Sequence, residues 1–355
     1  MSRKIARNEI LSLKPYKAQQ RDYPVVLDAN ESPYPLPANI KNAIEKNIDS
    51  IAFNRYPDPE GKRLKTLLSK FHNVDVENIV LGNGSDELIL YLICAFSQRG
   101  YKVLYPVPTF SMYGIISQSL GQKKIEIPLN EKFDIDDERI IETAKKQKVS
   151  LIFFSYPNNP TGNCFSKKKI INILDNYDGI TVIDEAYGDF SGKSFLNLVP
   201  KYKNLIISKT FSKIGLSSLR LGYLIANRDI AEIVEKVRLP FNVNSFSQGC
   251  GEIFLQKRKT VNKLIKKIIN GRKFLYEELK KIKSLKVFPS EANFILFKAK
   301  DNSDAIHNEL KKRGISIRNL NNPGLLQDCL RVTVGTEKEN RLFVKELKLI
   351  IKKLS

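Results

Sequence analysis

Residues 150–187, SLIFFSYPNNPTGNCFSKKKIINILDNYDGITVIDEAY, begin and end with an apolar run of strand length. Comparable runs, KVLYP, NLIISKT and LGYLIA, flank this stretch, and segments of helical pattern such as SDELILYLICAFSQ alternate with them. Strands that are apolar throughout are buried on both faces, which is typical of a mostly parallel sheet covered by helices. We therefore predict an α/β fold whose ligands bind beyond the carboxyl ends of the strands.

A second module follows residue 257. It reads as a long amphipathic helix, four short strands (KVFPS, NFILFKA, ISIRNL and CLRVTVG), a helix over residues 303–313 and a terminal helix. This order predicts a smaller α+β domain with antiparallel strands. We expect residues 1–50 to form an N-terminal arm and part of this small domain, with residues 51–257 as the large ligand-binding domain and 258–355 as the small C-terminal domain.

The composition narrows the class of protein. A hydrophobic content of 42% in 355 residues is sufficient for two cores. No apolar run approaches the roughly 18 residues of a membrane span. The first ten residues are charged rather than apolar, so we expect a cytoplasmic protein without a membrane partner. The widely spaced cysteines are expected to be buried free thiols, and with two histidines in the chain a His-rich metal site is not expected.

The net charge of +21 has several readings. It is compatible with a nucleic acid, a membrane surface or a small anionic substrate. In the stretch VNKLIKKIINGRKFLYEELKKIKSL, apolar residues recur every three or four positions, so the lysines belong to the solvated face of a helix. No basic stripe flanked by aromatic residues accompanies them, and nucleic-acid binding therefore stays a remote alternative.

A possible phosphate site follows an apolar strand in LGNGSDELI. Gly82 and Gly84 permit close backbone approach, and Ser85 or Asp86 can cap the helix that begins there. The amides at such a helix start bind phosphate. A capped turn without any ligand requires the same residues.

Polar side chains end two of the buried strands. In YPNNPTG, residues 156–162, asparagine amides could donate to a ligand oxygen, although a tight turn explains the prolines and the glycine. Asp184 ends the next strand, with Tyr187 three residues later. A buried carboxylate requires a cationic or proton-bearing partner. A protonated ring nitrogen is one such partner; a metal ion is another, but no second ligand cluster is near in the sequence.

One amine is bracketed by anion-binding side chains in SKTFSKIGLSSLRLGY, residues 208–223. Thr210 and Ser212 precede Lys213, and Arg220 follows it. Hydroxyls and a guanidinium bind phosphate, and an amine beside them reacts with an aldehyde; the alternative is a loop with a surface lysine. Together the motifs call for a phosphate, an electrophilic carbon, a ring oxygen and a ring nitrogen, and pyridoxal 5'-phosphate has all four.

In series, NNPTG, DEAY and SKIGLSSLRLG resemble the fold-type I pyridoxal-phosphate aminotransferases of class II and, within them, the histidinol-phosphate branch. Further matches from LKPYKAQQ to CLRVTVGT extend the resemblance over nearly the whole chain. It implies a homodimer whose large domain has a mostly parallel seven-stranded sheet. It also implies amino transfer between glutamate and imidazole acetol phosphate in histidine biosynthesis. An aromatic amino-acid aminotransferase and a phospho-amino-acid decarboxylase share these motifs and stay alternatives.

The resemblance also implies roles for individual residues. Lys213 would bind the cofactor and move the proton as general base and acid, and Asp184 would keep the ring nitrogen protonated. Tyr187 and Asn159 would hydrogen-bond the ring oxygen. The implied cofactor-binding residues are Gly84, Ser85, Asp86, Phe110, Asn159, Asp184, Tyr187, Thr210, Ser212, Lys213, Arg220 and, from the partner subunit, Tyr56. The implied substrate-binding residues are Tyr16, Asn30, Asn244, Arg318 and Arg331.

Three positions depart from the usual pattern of the family. Phe110 stands where a tyrosine often stacks on the cofactor, so stacking is expected without a hydroxyl. Phe241 likewise stands where some relatives have a tyrosine. Arg220 lies seven rather than eight residues after Lys213, which predicts a turn shortened by one residue.

Overall fold

The computed structural model describes residues 5–15 and 22–354. Its strands are β1 (Val25–Leu27), β2 (Ile79–Gly82), β3 (Lys102–Val107), β4 (Lys123–Pro128), β5 (Val149–Ser155), β6 (Ile180–Asp184), β7 (Leu205–Thr210), β8 (Gly222–Ala226), β9 (Leu285–Val287), β10 (Phe294–Ala299), β11 (Ile315–Asn319) and β12 (Cys329–Thr333). Its α-helices are α1 (Asn8–Leu11), α2 (Ala38–Ile48), α3 (Lys62–His72), α4 (Ser85–Phe96), α5 (Met112–Ser119), α6 (Asp137–Lys146), α7 (Lys167–Asn176), α8 (Gly188–Ser191), α9 (Arg228–Val237), α10 (Ser245–Gln256), α11 (Arg258–Lys280), α12 (Ser303–Lys312) and α13 (Glu337–Leu354). No helix in these two ranges is long and apolar enough to cross a membrane.

The larger sheet has seven strands in the spatial order β2-β8-β7-β6-β5-β3-β4. All of them run parallel except β8, which is antiparallel to both of its neighbours. This architecture confirms the predicted α/β fold with a mostly parallel seven-stranded sheet.

The apolar strands are buried on both faces because helices cover both faces. Phe153 packs in one core cluster, with α4, α5 and α9, whereas the next residue, Phe154, packs in the other. Successive side chains of a strand point to opposite faces, so a fully apolar strand supplies both cores at once. The edge strand β4, with two exposed lysines, lacks this pattern and was not among the predicted strands.

The smaller sheet has the order β1-β11-β12-β10-β9. Its pairings are antiparallel except that between β1 and β11, and α11 and α13 pack against each other beside it. Among the first fifty residues, β1 joins this sheet, whereas α2 packs on α10 and α1 packs on α5 of the larger body. The division of the chain at residues 50 and 257 stays a prediction.

The expectation of buried thiols was right for two cysteines. Cys250 and Cys329 are buried, but Cys94 is exposed and Cys164 is half-buried. Cys94 lies four residues after the exposed Leu90 on α4, and therefore on the same solvent-facing side of that helix.

Candidate active site

Parallel strands bring the predicted motifs to one edge of the larger sheet. β5, β6 and β7 are adjacent, and they end at Ser155, Asp184 and Thr210. The carboxyl ends of parallel strands lie at the same edge of the sheet, so the ends of these three strands and the loops after them surround a common space. β2 ends at Gly82 and leads into α4 at the same edge of the sheet.

The start of α4 lies against Arg220 and forms a cradle whose donors suit an anion. Gly84 has a φ of 88°, and a Cβ placed there would lie 2.8 Å from Nη2 of Arg220. A Cβ on Gly222 would lie 3.1 Å from the amide nitrogen of Ser85. The absence of both side chains leaves the first amides of α4 open beneath the guanidinium. Helix amides and a guanidinium are a donor set suited to a phosphate dianion.

Hydroxyls from the end of β7 close this cradle. Thr210 Oγ1 donates to Ser212 Oγ at 2.9 Å, and the amide of Ser212 donates back to Thr210 Oγ1 at 3.1 Å. Nη1 of Arg220 lies 3.5 Å from Ser212 Oγ, and Nη2 donates to Asp86 at 3.0 Å. The structure thus brings together Thr210, Ser212 and Arg220 as predicted from the sequence.

The shortened turn between Lys213 and Arg220 consists of two consecutive 3₁₀ turns, Ser212–Ile214 and Ser217–Leu219. Gly215, with a φ of 127°, reverses the chain between them, and Arg220 adopts a left-handed conformation with φ of 50°. This conformation turns the arginine back toward the hydroxyl of Ser212 although the turn is short.

Asp184 is a buried carboxylate, with 3% of its surface exposed. Its Oδ2 accepts a hydrogen bond from Tyr113 Oη at 2.8 Å, and its Oδ1 accepts one from the amide of Ala186 at 3.1 Å. Burial raises the pKa of Asp184 from 3.8 to about 6, against the lowering effect of both hydrogen bonds. Within residues 5–15 and 22–354 it forms no ion pair, which leaves room for a proton-bearing ligand.

Lys213 follows the end of β7 and is half-buried. Its Nζ lies 5.7 Å from the centre of the Tyr187 ring, and Lys213 contributes a positive charge felt by Asp184. In the described part of the chain this amine has no hydrogen-bonding or ion-pairing partner, in contrast to Lys209, four residues earlier on β7, which pairs with Glu185 at 2.7 Å. The amine thus lies near Tyr187 and Asp184, two residues that follow or end β6.

Tyr187 and Asn159 are each held by a residue of the smaller sheet or of the segment leading into it. Asn30 Nδ2 donates to Tyr187 Oη at 2.9 Å, and Arg331 Nη1 donates to Asn159 Oδ1 at 2.5 Å. Because Tyr187 Oη and Asn159 Oδ1 already accept, the tyrosine hydroxyl proton and the asparagine amide protons are directed elsewhere.

Two predicted substrate residues pair across adjacent strands. Arg318 of β11 lies opposite Arg331 of β12 in the register of the smaller sheet. Directly opposed residues project from the same face. Arg331 is 8% exposed, and its Nη2 donates to the carbonyl of Asp28 at 2.7 Å. The arginine is thus held in place before any ligand arrives.

Other predicted residues do not join this group within one chain. Tyr56 is 81% exposed and stacks on Phe241, with ring centres 4.6 Å apart. The side chain of Asn244 caps α10 by accepting from Ser247 and contacts none of the other predicted residues in the described ranges. Tyr16 lies outside the described residues.

Sequence reasoning missed Tyr113, Thr333 and Asn293. Tyr113 touches Asp184, Thr333 accepts from the amide of Asn30 at 3.0 Å, and Asn293 Nδ2 donates to the Asn30 carbonyl at 3.0 Å. Tyr113 lies three residues after Phe110 in PTFSMYG, and this closeness to a predicted cofactor residue was the one sequence feature that could have identified it. None of these three contacts joins residues that are close in the sequence, so no local sequence pattern predicts them.

Comparisons with known proteins agree with this arrangement. The family model described as aminotransferase class I and II matches residues 24–347. The histidinol-phosphate aminotransferase of Aquifex aeolicus (strain VF5) is 44% identical over 347 residues, which cover 98% of each protein.

Solved structures give the same result for the fold. The histidinol-phosphate aminotransferase from Clostridium acetobutylicum superposes with a TM-score of 0.85 at 29% identity, covering 93% of this chain and 99% of that one. The enzyme from Sinorhizobium meliloti in complex with pyridoxal-5'-phosphate superposes with a TM-score of 0.90 at 22% identity, covering 99% and 98%. With a family match over most of its length and relatives this similar, the chain belongs to the aminotransferase class I and II family.

Proposed function

We propose that this protein is a pyridoxal-phosphate-dependent histidinol-phosphate aminotransferase. It transfers the amino group of glutamate to imidazole acetol phosphate, giving L-histidinol phosphate and 2-oxoglutarate in histidine biosynthesis. The observation that carries the proposal is a buried carboxylate, Asp184, on which the positive charge of the Lys213 amine acts, although neither group forms an ion pair within the described residues. The relatives named above carry the same activity in their names. The predicted cytoplasmic location belongs to this proposal.

The residues present fit pyridoxal phosphate. A cradle that a Cβ on Gly84 would fill suits the phosphate, and the uncompensated charge of buried Asp184 suits a protonated pyridine nitrogen. When bound, the cofactor supplies the carbonyl carbon that takes up the amino group and a ring that stabilises negative charge at the substrate carbon.

The chain's own groups then divide the work. Asp184 would accept a hydrogen bond from the ring nitrogen and keep it protonated. Tyr187 would direct its hydroxyl proton, and Asn159 its amide protons, to the ring oxygen, since their oxygen atoms already accept hydrogen bonds from Asn30 and Arg331. Lys213 Nζ would take up the proton released by the substrate carbon and hold it for return. Phe110, half-buried and unable to donate, would supply an apolar face for the ring.

Substrate recognition rests on paired arginines. Arg331 and Arg318 project from one face of the smaller sheet, and Arg331 also bonds to Asn159. A guanidinium binds a carboxylate or a phosphate with two hydrogen bonds, so this pair suits both glutamate and a phosphorylated ketone. Asn30 at the same sheet orients Tyr187 rather than acting alone.

We propose further that the active site is completed in a homodimer. The support is the exposed pair of stacked rings Tyr56 and Phe241, 81% and 38% exposed, with exposed Phe53 and Leu239 close to them in the sequence. Isolated domains expose few adjoining large apolar side chains. Tyr56 of the partner subunit would reach the phosphate cradle. Mixing Lys213→Ala with Tyr56→Ala subunits should then restore one intact site per mixed dimer, and no recovery above both parents would refute the shared site.

The decisive experiment measures amino transfer from glutamate to imidazole acetol phosphate and, in parallel, to phenylpyruvate. We expect a clear preference for the phosphorylated ketone. Preference for phenylpyruvate would instead support the aromatic aminotransferase. Release of carbon dioxide from a phosphorylated amino acid without amino transfer would support the decarboxylase. Protein that binds no pyridoxal phosphate would refute all three.

A further inference from the structure

Tyr113 is a fully buried tyrosine whose hydroxyl contacts the carboxylate of Asp184 at the proposed cofactor site. It lies in the first turn of α5 with 0% of its surface exposed. Its ring stacks on Phe153, with centres 4.9 Å apart and planes 14° apart, and Phe110 meets its edge at 5.6 Å. Phenylalanine would fill this apolar slot equally well, so packing alone does not account for the hydroxyl.

The hydroxyl has a defined partner. It donates to Asp184 Oδ2 at 2.8 Å, and a buried tyrosine hydroxyl requires such an acceptor. With the amide of Ala186 on the other oxygen, both carboxylate oxygens are held by neutral donors. Two fixed donors set the plane of the carboxylate, and because they bond to its charged form they also favour ionisation.

Tyr113 does not act as an acid. Burial, followed by the negative charge of Asp184, raises its pKa well above the usual range. The proton therefore stays on the tyrosine, and Asp184 is the group that titrates. The other charged groups that act on Asp184 are Asp86 and Lys213, and Tyr187 acts on Tyr113 itself.

We propose that the Tyr113 hydroxyl is a positioning group of the cofactor site, which holds the Asp184 carboxylate ionised and aimed at the ring nitrogen. Tyr113 also contacts both Phe110, which is expected to stack on the cofactor, and Asp184, which is expected to pair with the ring nitrogen of the cofactor. The inference rests on the proposed function only in that the ligand is pyridoxal phosphate.

The test is the affinity of cofactor-free Tyr113→Phe for pyridoxal phosphate, followed by absorbance over a range of pH. A hydrogen bond to a charged group contributes enough for about a tenfold loss of affinity. We expect this loss to be largest on the acid side, because Asp184 would be protonated up to a higher pH. The pH at which affinity falls by half should therefore move upward, which a loss of packing alone would not cause.

A matched control is available on the neighbouring strand. Tyr105 is likewise largely buried, and its hydroxyl donates to Glu126 at 2.8 Å, away from Asp184. Tyr105→Phe should leave both the affinity and its pH profile as in the wild type. Equal losses in Tyr105→Phe and Tyr113→Phe would overturn the proposal.

A second background keeps the proposal testable if Tyr113→Phe also loosens the fold. In Asp184→Asn protein, removing the Tyr113 hydroxyl should cost little further affinity, since its charged acceptor is gone. An undiminished loss there would show that Tyr113 acts through packing, and would overturn the proposal. These results concern cofactor binding, so they are independent of which ketone the enzyme uses; failure of the substrate assay alone would refute only the proposed function.

Discussion

Replacing Asp184 with asparagine should change how the stability of the cofactor-free protein depends on pH. Burial raises the pKa of this carboxyl from 3.8 in the unfolded chain to about 6 in the folded protein. Between these values the folded state binds more protons than the unfolded state, so stability falls as the pH rises. The stabilising contribution of the protonated form is complete below 3.8 and is lost as the pH passes about 6.

The size of this effect follows from the shift. A change of roughly two pKa units corresponds to about 3 kcal/mol, of which about 2 kcal/mol falls between about pH 4.5 and 7.5. The assay is urea unfolding of cofactor-free wild type and Asp184→Asn at one protein concentration across that range. Over this pH range the free energy of unfolding of the wild type should fall by about 2 kcal/mol more than that of the variant. Comparing how the unfolding free energy changes with pH removes the constant cost of the accepted hydrogen bond that asparagine gives up, since only one of its two terminal atoms is an oxygen.

The control is Asp178→Asn at an exposed position, which should follow the wild-type curve. Adding pyridoxal phosphate should oppose the wild-type loss at neutral pH, because a protonated ring nitrogen compensates the buried charge. Parallel curves for wild type and Asp184→Asn would refute the reasoning that this carboxylate is costly to ionise in the folded protein.

Further predictions concern the cradle and the arginine. Gly84→Ala should weaken cofactor binding, since its Cβ would meet Arg220 at 2.8 Å; Gly100→Ala has the same φ of 88° with no atom within 4 Å and should bind normally, as absorbance titration would show. Arg331→Lys should raise KM for glutamate by about tenfold or more, because lysine cannot form the bidentate pair, and steady-state kinetics would detect an unchanged KM as a contradiction. Lys213→Ala should abolish turnover while leaving the melting temperature of the cofactor-free protein nearly unchanged; substantial turnover would exclude its assigned role.

Much of the architecture could be predicted from the chain alone. Apolar runs such as the one ending at Ser155 are buried on both faces. Such burial requires a parallel sheet that is covered by helices on both sides, whichever helices these are. The edge strand β4 escaped prediction because its exposed lysines remove the continuous apolar signal. Cys94 was misjudged because it lies one helical turn after the exposed Leu90, on the solvent-facing side of α4.

The cradle was predictable for a related reason. Thr210, Ser212 and Arg220 lie within one short loop, so the local chain already brings hydroxyls and guanidinium near each other. What local spacing left open was the route of the shortened turn. The positive φ of Gly215 and Arg220 settles it, and such conformations depend on the packing of the surrounding loop.

The sequence alone accounts for the α/β class, the strand-end motifs and the choice of Lys213 and Asp184 as proposed site residues, because each depends on residues close together in the chain. Folding adds what depends on distant residues. Tyr113 meets Asp184 across 71 positions, Asn30 meets Tyr187 across 157, and Arg331 meets Asn159 across 172. Hydrogen bonds of this kind arise from sheet order and helix packing, which bring together groups that no local periodicity relates. These hydrogen bonds decide which polar atoms already have a partner within the protein and which are left to bind a ligand.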